Sequence, residues 1–486
     1  MQKLEPRTMS TPLNKLANPF AVNRRAFLAN YCGGIGGLAL AHLLQTEVSA
    51  SSGSRKDPLA AVAPQRAGRA KSVICLFQHG GPSQMDLFDA KPQLTRHNGE
   101  PYPGKVEVHF AHAATNLLAS PFKFQKHGQC GMQLSELLPH TASVADDLTL
   151  VRSMTTTSVD HESALRLIHT GTFFAGKPSL GSWVVYGLGS MRQELPAYVV
   201  LGDPGGLPVD GTKNWSAGYL PAVYQGTSFR PSGSPVLHLQ TPSEILPEAR
   251  QRQLDFLRTL NAEHLRRHPA NSELEARITN YELAAKMQSA VPEALDVAQE
   301  SKETHSLYGL DQPATEDYGR RCLVARRLVE RGVRFVQVFL SGQPWDTHSN
   351  NAKTLGGLCA KTDQPSAALV QDLKRRGLLD STIVLWTGEF GRQPVSQGTD
   401  GRDHNRRAFS LWLTGGGFKR GYVHGATDDF GYEAVKDVVR VHDLHATLLD
   451  ALGLDHERLT YPHDGREDSL TDSPVTNAEV VESLLA

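Results

Sequence analysis

The chain carries short, unbroken apolar runs separated by longer stretches of mixed character. The runs are Ser72–Phe77, Leu148–Val151, Ala197–Leu201, Val333–Leu340, Thr382–Trp386 and Phe409–Leu413. Apolar runs of about four to eight residues without alternation predict strands buried on both faces, as in a parallel sheet. Between them, helices are predicted over Leu134–Thr141, over Leu165–Thr170 with Gly171 as its stop, over Ala352–Arg376, and over Val441–Leu452 with Gly453 behind it. From about residue 241 to 332 the texture turns charged and periodic, and Glu244–Arg267, Ser272–Ser289 and Tyr318–Arg331 fit amphipathic helices. Arg320, Arg321, Arg326 and Arg327 on the last of these read as a solvated face. Ser51–Ala70 has linker composition, while Ala90–Lys126 and Gly202–Pro235 read as loop. Strands alternating with helices predict a doubly wound α/β fold, a mainly parallel sheet with helices on both faces, in one domain over 71–486 with a helical segment at about 241–332.

Four of these stretches share one grammar, in which a strand runs into Gly, Asp, Glu or His. They are Ser72–Asp89, with His79, Ser83 and Asp86; Val333–His348, with Asp346 and His348; Thr382–Arg392, with Glu389; and Gly401–Asn405, with His404. Open α/β sheets bind ligands at the carboxyl ends of their strands, so the four are read as one site. Asp346, His348 and His404 form the first candidate ligand set, with Glu389, Asp86 and His79 in reserve. Three N/O ligands with an open position are what a catalytic zinc or manganese needs, and a second cluster would clamp a phosphate-like group. The structural alternative is that Asp346 caps a helix, His348 donates to a carbonyl, and Glu389 pairs with Arg392. The hydroxyl-rich Thr155–Ser163 turn, containing Asp160 and His161, suits either helix capping or an oxyanion. His442 and His445 stand one turn apart on the last helix, which fits shared ligation or one exposed and one packed ring.

Composition narrows the chemistry. Fifty basic against 51 acidic residues leave a formal charge of -1, which gives no electrostatic basis for nucleic-acid binding. The five cysteines are scattered without zinc-ribbon or disulfide spacing, so a metal would rest on carboxylates and the 20 histidines. At the N-terminus, Arg24-Arg25 precedes the Gly-rich apolar segment Phe27–Leu44 and a Val48-Ser49-Ala50 site. This pattern predicts a twin-arginine signal over 1–50, the translocase as partner during export, and a periplasmic or secreted product with no stable membrane span after cleavage. The alternative is a short membrane anchor, for which Gly33, Gly34, Gly36 and Gly37 make the segment only weakly apolar.

The motifs His79-Gly-Gly-Pro-Ser83-Gln-Met-Asp86-Leu-Phe-Asp89-Ala-Lys91-Pro92, Trp345-Asp-Thr-His348, Gly388-Glu-Phe-Gly-Arg392 and Gly401-Arg-Asp-His-Asn405, behind a twin-arginine leader, resemble the DUF1501 family. That family is similar in fold to the alkaline phosphatase and sulfatase superfamily, with a bimetallic core on a mixed α/β sheet. The resemblance implies that Asp346 and His348 match the superfamily's Asp and His from one strand end, Glu389 its next carboxylate, and His404 its last histidine. It departs at Phe390, where the superfamily has an imidazole, at His79, where it has an Asp, and in lacking the Cys-x-Pro-Ser-Arg motif. The implied activity is an exported metal-dependent hydrolase of phosphate or sulfate esters acting on small-molecule or polysaccharide substrates, with one or two divalent ions of zinc, manganese or calcium. In this reading Asp346, His348 and His404 hold one ion, and Glu389 with Asp86 or His79 holds a second or its water. Arg392 or Arg402 steadies the anionic substrate, and Ser83, His161 and Ser163 compete as nucleophile. The alternative is a non-catalytic secreted binding or scaffold protein that keeps the fold.

Overall fold

The computed structural model describes residues 57–486 apart from 108, 110–112, 232–233, 237–238, 240–244 and 270. The expected export signal and residues 51–56 of the expected linker lie outside the described residues. Residues 57–70, of linker composition, run along the body, with Val62 N–H donating to Leu188 O, and Arg69 and Ala70 N–H to Ala451 O.

Twelve strands matter for the site: β1 (Ser72–Phe77), β2 (Ala113–Leu117), β3 (Thr149–Thr155), β4 (Tyr198–Leu201), β5 (Thr227–Phe229), β6 (Phe335–Val338), β7 (Thr382–Thr387), β8 (Gly391–Gln397), β9 (Gly401–Asn405), β10 (Phe409–Thr414), β11 (Tyr422–His424) and β12 (Val439–Arg440). The central sheet runs β11-β3-β10-β7-β1-β6-β4-β5, with β12 also paired to β3. β1 pairs in parallel with β6 (Val73 opposite Phe335) and β7 (Ser72 opposite Thr382), and the parallel order continues through β4 and β5. Only β10 is reversed, antiparallel to both β7 and β3. A mainly parallel sheet is therefore the core of the fold, as the apolar runs predict.

Each run splits its side chains between two packed faces. Ile74, Leu76, Val336, Val338 and Val384 enter one core with α5 (Glu316–Glu330) and α6 (Asn351–Arg375). Val73, Cys75, Phe77, Phe335, Ile383 and Leu385 enter the other, with α1 (His161–Thr170), α2 (Leu180–Leu188) and α7 (Val441–Ala451). Strands sandwiched this way gain roughly 1.5–3 kcal/mol for each large apolar side chain fully buried, which explains why the runs lack polar alternation.

Several local expectations are corrected. Residues 132–135 form a hairpin strand paired with Phe124–His127, and the short helix begins only at Pro139. Gly401–Asn405 is a strand, joined to β8 in a small antiparallel sheet with β2. The helical segment forms α3 (Pro247–Arg267), which buries none of its residues, and α4 (Ser272–Leu295). Three of the four arginines singled out on α5 are not a solvated face: Arg321, Arg326 and Arg327 are buried, and Arg320 alone of the four is exposed. Arg321 pairs with Asp203 at 2.8 Å, and Arg326 with Glu300 at 2.8 Å and Asp372 at 2.9 Å. Their partners come from segments distant in sequence, which satisfies the charges without water.

Topology decides where chemistry can collect. β1, β3, β6 and β7 all finish at one edge of the sheet, and the reversed β10 begins there. The residues following the first four strands and those preceding β10 therefore meet.

Candidate metal centre

Five acidic or imidazole side chains converge at that edge. Asp346 stands in the loop after β6, His348 two residues on, Glu389 just past β7, His161 at the start of α1 after β3, and His404 on β9, before β10. Glycine lets the loops touch. A Cβ on Gly80, whose φ is +110°, would lie 2.4 Å from the Asp346 backbone nitrogen, and one on Gly401 would lie 1.8 Å from the His348 carbonyl oxygen.

Asp346 is the hub. Its Oδ1 lies 3.0 Å from His348 Nε2, 3.1 Å from His404 Nε2 and 2.6 Å from Arg392 Nη2, and its Oδ2 lies 3.4 Å from His161 Nε2. Each ring is anchored by its other nitrogen to an oxygen: His161 Nδ1 to Glu389 Oε1 at 2.7 Å, His404 Nδ1 to Val159 O at 2.6 Å, and His348 Nδ1 to Gln397 Oε1. Those oxygens accept, so each Nδ1 carries a proton, and the neutral ring of His404 then turns its Nε2 lone pair toward a carboxylate oxygen. Burial, with Arg392 and His161 nearby, pushes His404 down to about 4 in spite of Asp346. His161 moves the other way, up to about 9, because hydrogen bonds to Asp346 and Glu389 outweigh its burial. Burial likewise opposes ionisation of Asp346, but its three imidazole partners and Arg392 hold it well below the usual carboxylate range.

This arrangement fits a divalent cation. Two ligands each about 2.1 Å from an ion, at angles between 90° and tetrahedral, stand roughly 3.0–3.4 Å apart, the range of the Nε2–Oδ separations here. Two sets of ligand atoms mutually within 4.8 Å occur among the described residues: His161, Asp346 and His404, and His348, Asp403 and His404. Glu389 orients His161 and takes the Gly80 N–H at 2.9 Å, as outer-shell carboxylates orient ligating imidazoles.

The other expected site residues are placed differently. Asp86 does not join the cluster: Arg402 grips it from Nε at 2.8 Å and Nη2 at 3.2 Å, and Asn351 donates to it at 3.0 Å, all fully buried. Ser83 is buried and its hydroxyl donates to Asp86 at 2.6 Å. Ser163 faces away, its hydroxyl and N–H both satisfying the N-cap Asp160. Arg392 and Arg402 are wholly buried. Arg392 donates to the carbonyls of Gly81 at 2.9 Å, Arg402 at 3.0 Å, Trp345 at 3.3 Å and Gly80, besides Asp346. His79 is buried between the rings of Phe77 (centroids 4.6 Å) and Phe339 (5.1 Å), and neither of its nitrogens has a partner. His442 and His445 ligate nothing together; each donates to a carbonyl, of Gly171 and Ile168 respectively.

Two residues escape the sequence reading. Asp403 lies inside the quoted Gly401–Asn405 motif and accepts from the N–H groups of His404 (2.8 Å) and His109 (3.0 Å). The ring of His109 stacks on His404 with centroids 5.0 Å apart, and no local pattern marks it. It borders an open cleft of about 330 Å³ lined also by Glu107, Thr157, Ser158, Val159, Asp160 and Arg406, alongside the cluster.

Among solved structures, the chain is similar to the PsFucS1 sulfatase from Pseudoalteromonas sp. (14% identity, 86% of this chain and 72% of that one, TM-score 0.34). It is also similar to the phosphonate monoester hydrolase SpPMH from Silicibacter pomeroyi (12%, 85% and 78%, 0.34) and to alkaline phosphatase from the Antarctic bacterium TAB5 (11%, 80% and 99%, 0.30). No curated protein matches the chain. A family model described as a protein of unknown function, DUF1501, matches residues 70–485, and the chain belongs to that family.

Proposed function

We propose that this protein is an exported hydrolase of phosphate or sulfate esters that uses a divalent metal held by Asp346, His161 and His404, with His348 completing the shell. The observation that carries the reading is the convergence of three Nδ1-anchored imidazoles on one carboxylate, with Nε2–Oδ separations of 3.0, 3.1 and 3.4 Å that suit ligands of one ion. A nitrogen-rich donor set suits zinc or manganese better than calcium, which takes oxygen ligands. When bound, the ion would act as a Lewis acid toward an ester oxygen and lower the pKa of a water.

The chain's own residues do the rest. Glu389 fixes the tautomer and direction of His161, Val159 O fixes His404, and Arg392 holds Asp346 in place from behind. Arg406, kept in the cleft by Glu107 (2.7 and 2.9 Å) and Thr157 O (3.1 Å), takes over the substrate-facing role that burial denies Arg392 and Arg402. With Ser83 and Ser163 committed elsewhere, hydrolysis proceeds by attack of water. The substrate is a small-molecule or polysaccharide ester, and the translocase carries the folded protein out of the cytoplasm.

Elemental analysis of the purified protein, before and after chelation, together with turnover of aryl phosphates and aryl sulfates in added zinc, manganese or calcium, tests the reading. Asp346→Ala should neither retain nor regain the metal, and a metal-free native protein would sink the idea. The commitment of the Ser83 hydroxyl to Asp86 and of the Ser163 hydroxyl to Asp160 favours one rival, a secreted binding protein that keeps the metal without turnover. Metal binding with no hydrolysis of either ester class would select it.

A further inference from the structure

Behind the sheet edge lies a second group of buried polar side chains, outside the cluster. A small cavity, with about 20 Å³ open to the centre of a water molecule, is walled in part by the buried residues His169 of α1, His445 of α7, Asn214, and Gln337 of β6. Three atoms of these residues are buried without a partner: His169 Nε2, His445 Nδ1 and Asn214 Oδ1. A buried polar atom left unpaired costs about 1–3 kcal/mol, so three on one cavity call for an explanation.

Their hydrogen-bond polarity follows from their other partners. Tyr198 O–H donates to Gln337 Oε1, which turns Gln337 Nε2 toward His169 Nδ1 at 3.2 Å as a donor. His169 Nδ1 therefore accepts, and the ring proton sits on Nε2, an unpaired donor. His445 Nε2 donates to Ile168 O at 2.8 Å, which leaves Nδ1 as an unpaired acceptor. Asn214 Nδ2 donates to Val209 O at 2.8 Å and Gly211 O at 3.0 Å, so Oδ1 is a second unpaired acceptor. Burial keeps both rings neutral, His169 down to about 3 and His445 to about 4.

One donor and two acceptors are the complement of a single water, which accepts once and donates twice. We infer that the cavity is a built site for one structural water, accepting from His169 Nε2–H and donating to His445 Nδ1 and Asn214 Oδ1. The space exceeds the roughly 10–15 Å³ such a molecule requires, and about three bonds is the usual number for a buried water. The water ties the C-terminal turn of α1, whose first residue is His161, to α7 and to the 209–215 loop. It is a structural link between these three elements, independent of whether the cluster hydrolyses esters.

A crystal structure of the full-length protein at a resolution that orders buried solvent, paired with long-range nitrogen–proton NMR of histidine-labelled protein, tests this. The expected results are one water within hydrogen-bond reach of all three atoms, and both His169 and His445 in the Nε2–H form. An empty cavity, a direct contact between the two rings, or an Nδ1–H form of His169 overturns it. Asn214→Leu, which fills the space and removes an acceptor, should expel the water and lower the melting temperature by a few degrees while metal content stays at the wild-type level. An Asn214→Leu protein that keeps the water in place, or melts as the wild type does, also counts against the assignment.

Discussion

Replacing Arg392 by Met keeps most of the side-chain volume and removes the guanidinium, and its consequence can be worked out from the contacts. Arg392 is completely buried and makes its 2.6 Å bond to Asp346 while serving four backbone carbonyls from two separate loops and β9. Removing one partner of a buried ion pair costs about 3–5 kcal/mol, and carbonyls left unpaired add to this, though not additively. We expect a loss of about 4–6 kcal/mol. Unfolding entropy of roughly 2 cal/mol/K per residue, over the single unit from Asp57 to Ala486, makes each kcal/mol worth about 1 °C. The melting temperature of Arg392→Met should therefore fall by about 4–6 °C by calorimetry, and the bound metal should fall with it, because Asp346 and Gly80 are no longer held in place. Arg392→Lys restores a charge without the fork and should recover part of the stability. If Arg392→Met melts like the wild type, keeps its metal and shows only a raised KM, the guanidinium reaches substrate and the reasoning from burial is wrong.

Other outcomes follow from the same contacts. Ser83→Ala and Ser163→Ala should each keep kcat within about threefold of wild type, whereas loss of a nucleophile would cost orders of magnitude, so a collapse of turnover in either variant refutes its assignment to capping and pairing. Asp86→Ala leaves Arg402 buried and unpaired and should destabilise by about 3–5 kcal/mol in urea titration, yet its folded fraction should bind metal normally, since Asp86 is no ligand. The acid limb of stability has a traceable source. Hydrogen bonds from Arg406 and Arg407 bring Glu107 down to about 2 against its partial burial, so its contribution is complete above the unfolded-state value near 4.5 and disappears as pH falls toward 2. Glu107→Gln should flatten that part of the stability curve, and an unaltered acid limb would show that the pair is too well solvated to count.

The apolar runs made the sheet legible because a strand buried on both faces has no room for alternation, and the residues at its carboxyl ends were legible because packing explains them poorly. Asp346, His348, Glu389 and His404 do meet, as one topology with a single reversed strand requires. What could not be read is which charged groups would find partners first. Asp86 and Arg402 are 316 positions apart, and nothing local announces that they neutralise each other inside the core. Arg321, Arg326 and Arg327 fail as a solvated face for the same reason, since Asp203, Glu300 and Asp372 arrive from other segments. His161 was visible as a residue at a helix start, but its approach to Asp346 depends on where β3 ends relative to β6, which only the sheet order supplies. Asp403 stands within the same motif as His404, but the His109 N–H that it accepts comes from 294 positions away, where no local pattern announces it.

The charges gathered at the cluster also bear on how many ions it holds. Asp346, Glu389 and Asp403 contribute three formal negative charges and Arg392 one positive, while Asp86 and Arg402 cancel in their own pair. The remainder is two negative charges, the complement of one divalent cation; a second would leave an excess of two positive charges in a largely buried site. Arg392 already places a cation 2.6 Å from Asp346 Oδ1, and a further divalent ion close to the guanidinium would be opposed by about 8 kcal/mol at 4 Å even with an effective dielectric constant near 20. Phe390, whose side chain offers no ligand atom, sets its ring 4.5 Å from that of His404. One equivalent of metal per chain is thus the expected stoichiometry by elemental analysis, lost in His161→Ala and His404→Ala. Two equivalents bound tightly in the native protein would mean that Glu389 or His79 ligates an ion directly, and that the guanidinium yields its place when the site is filled.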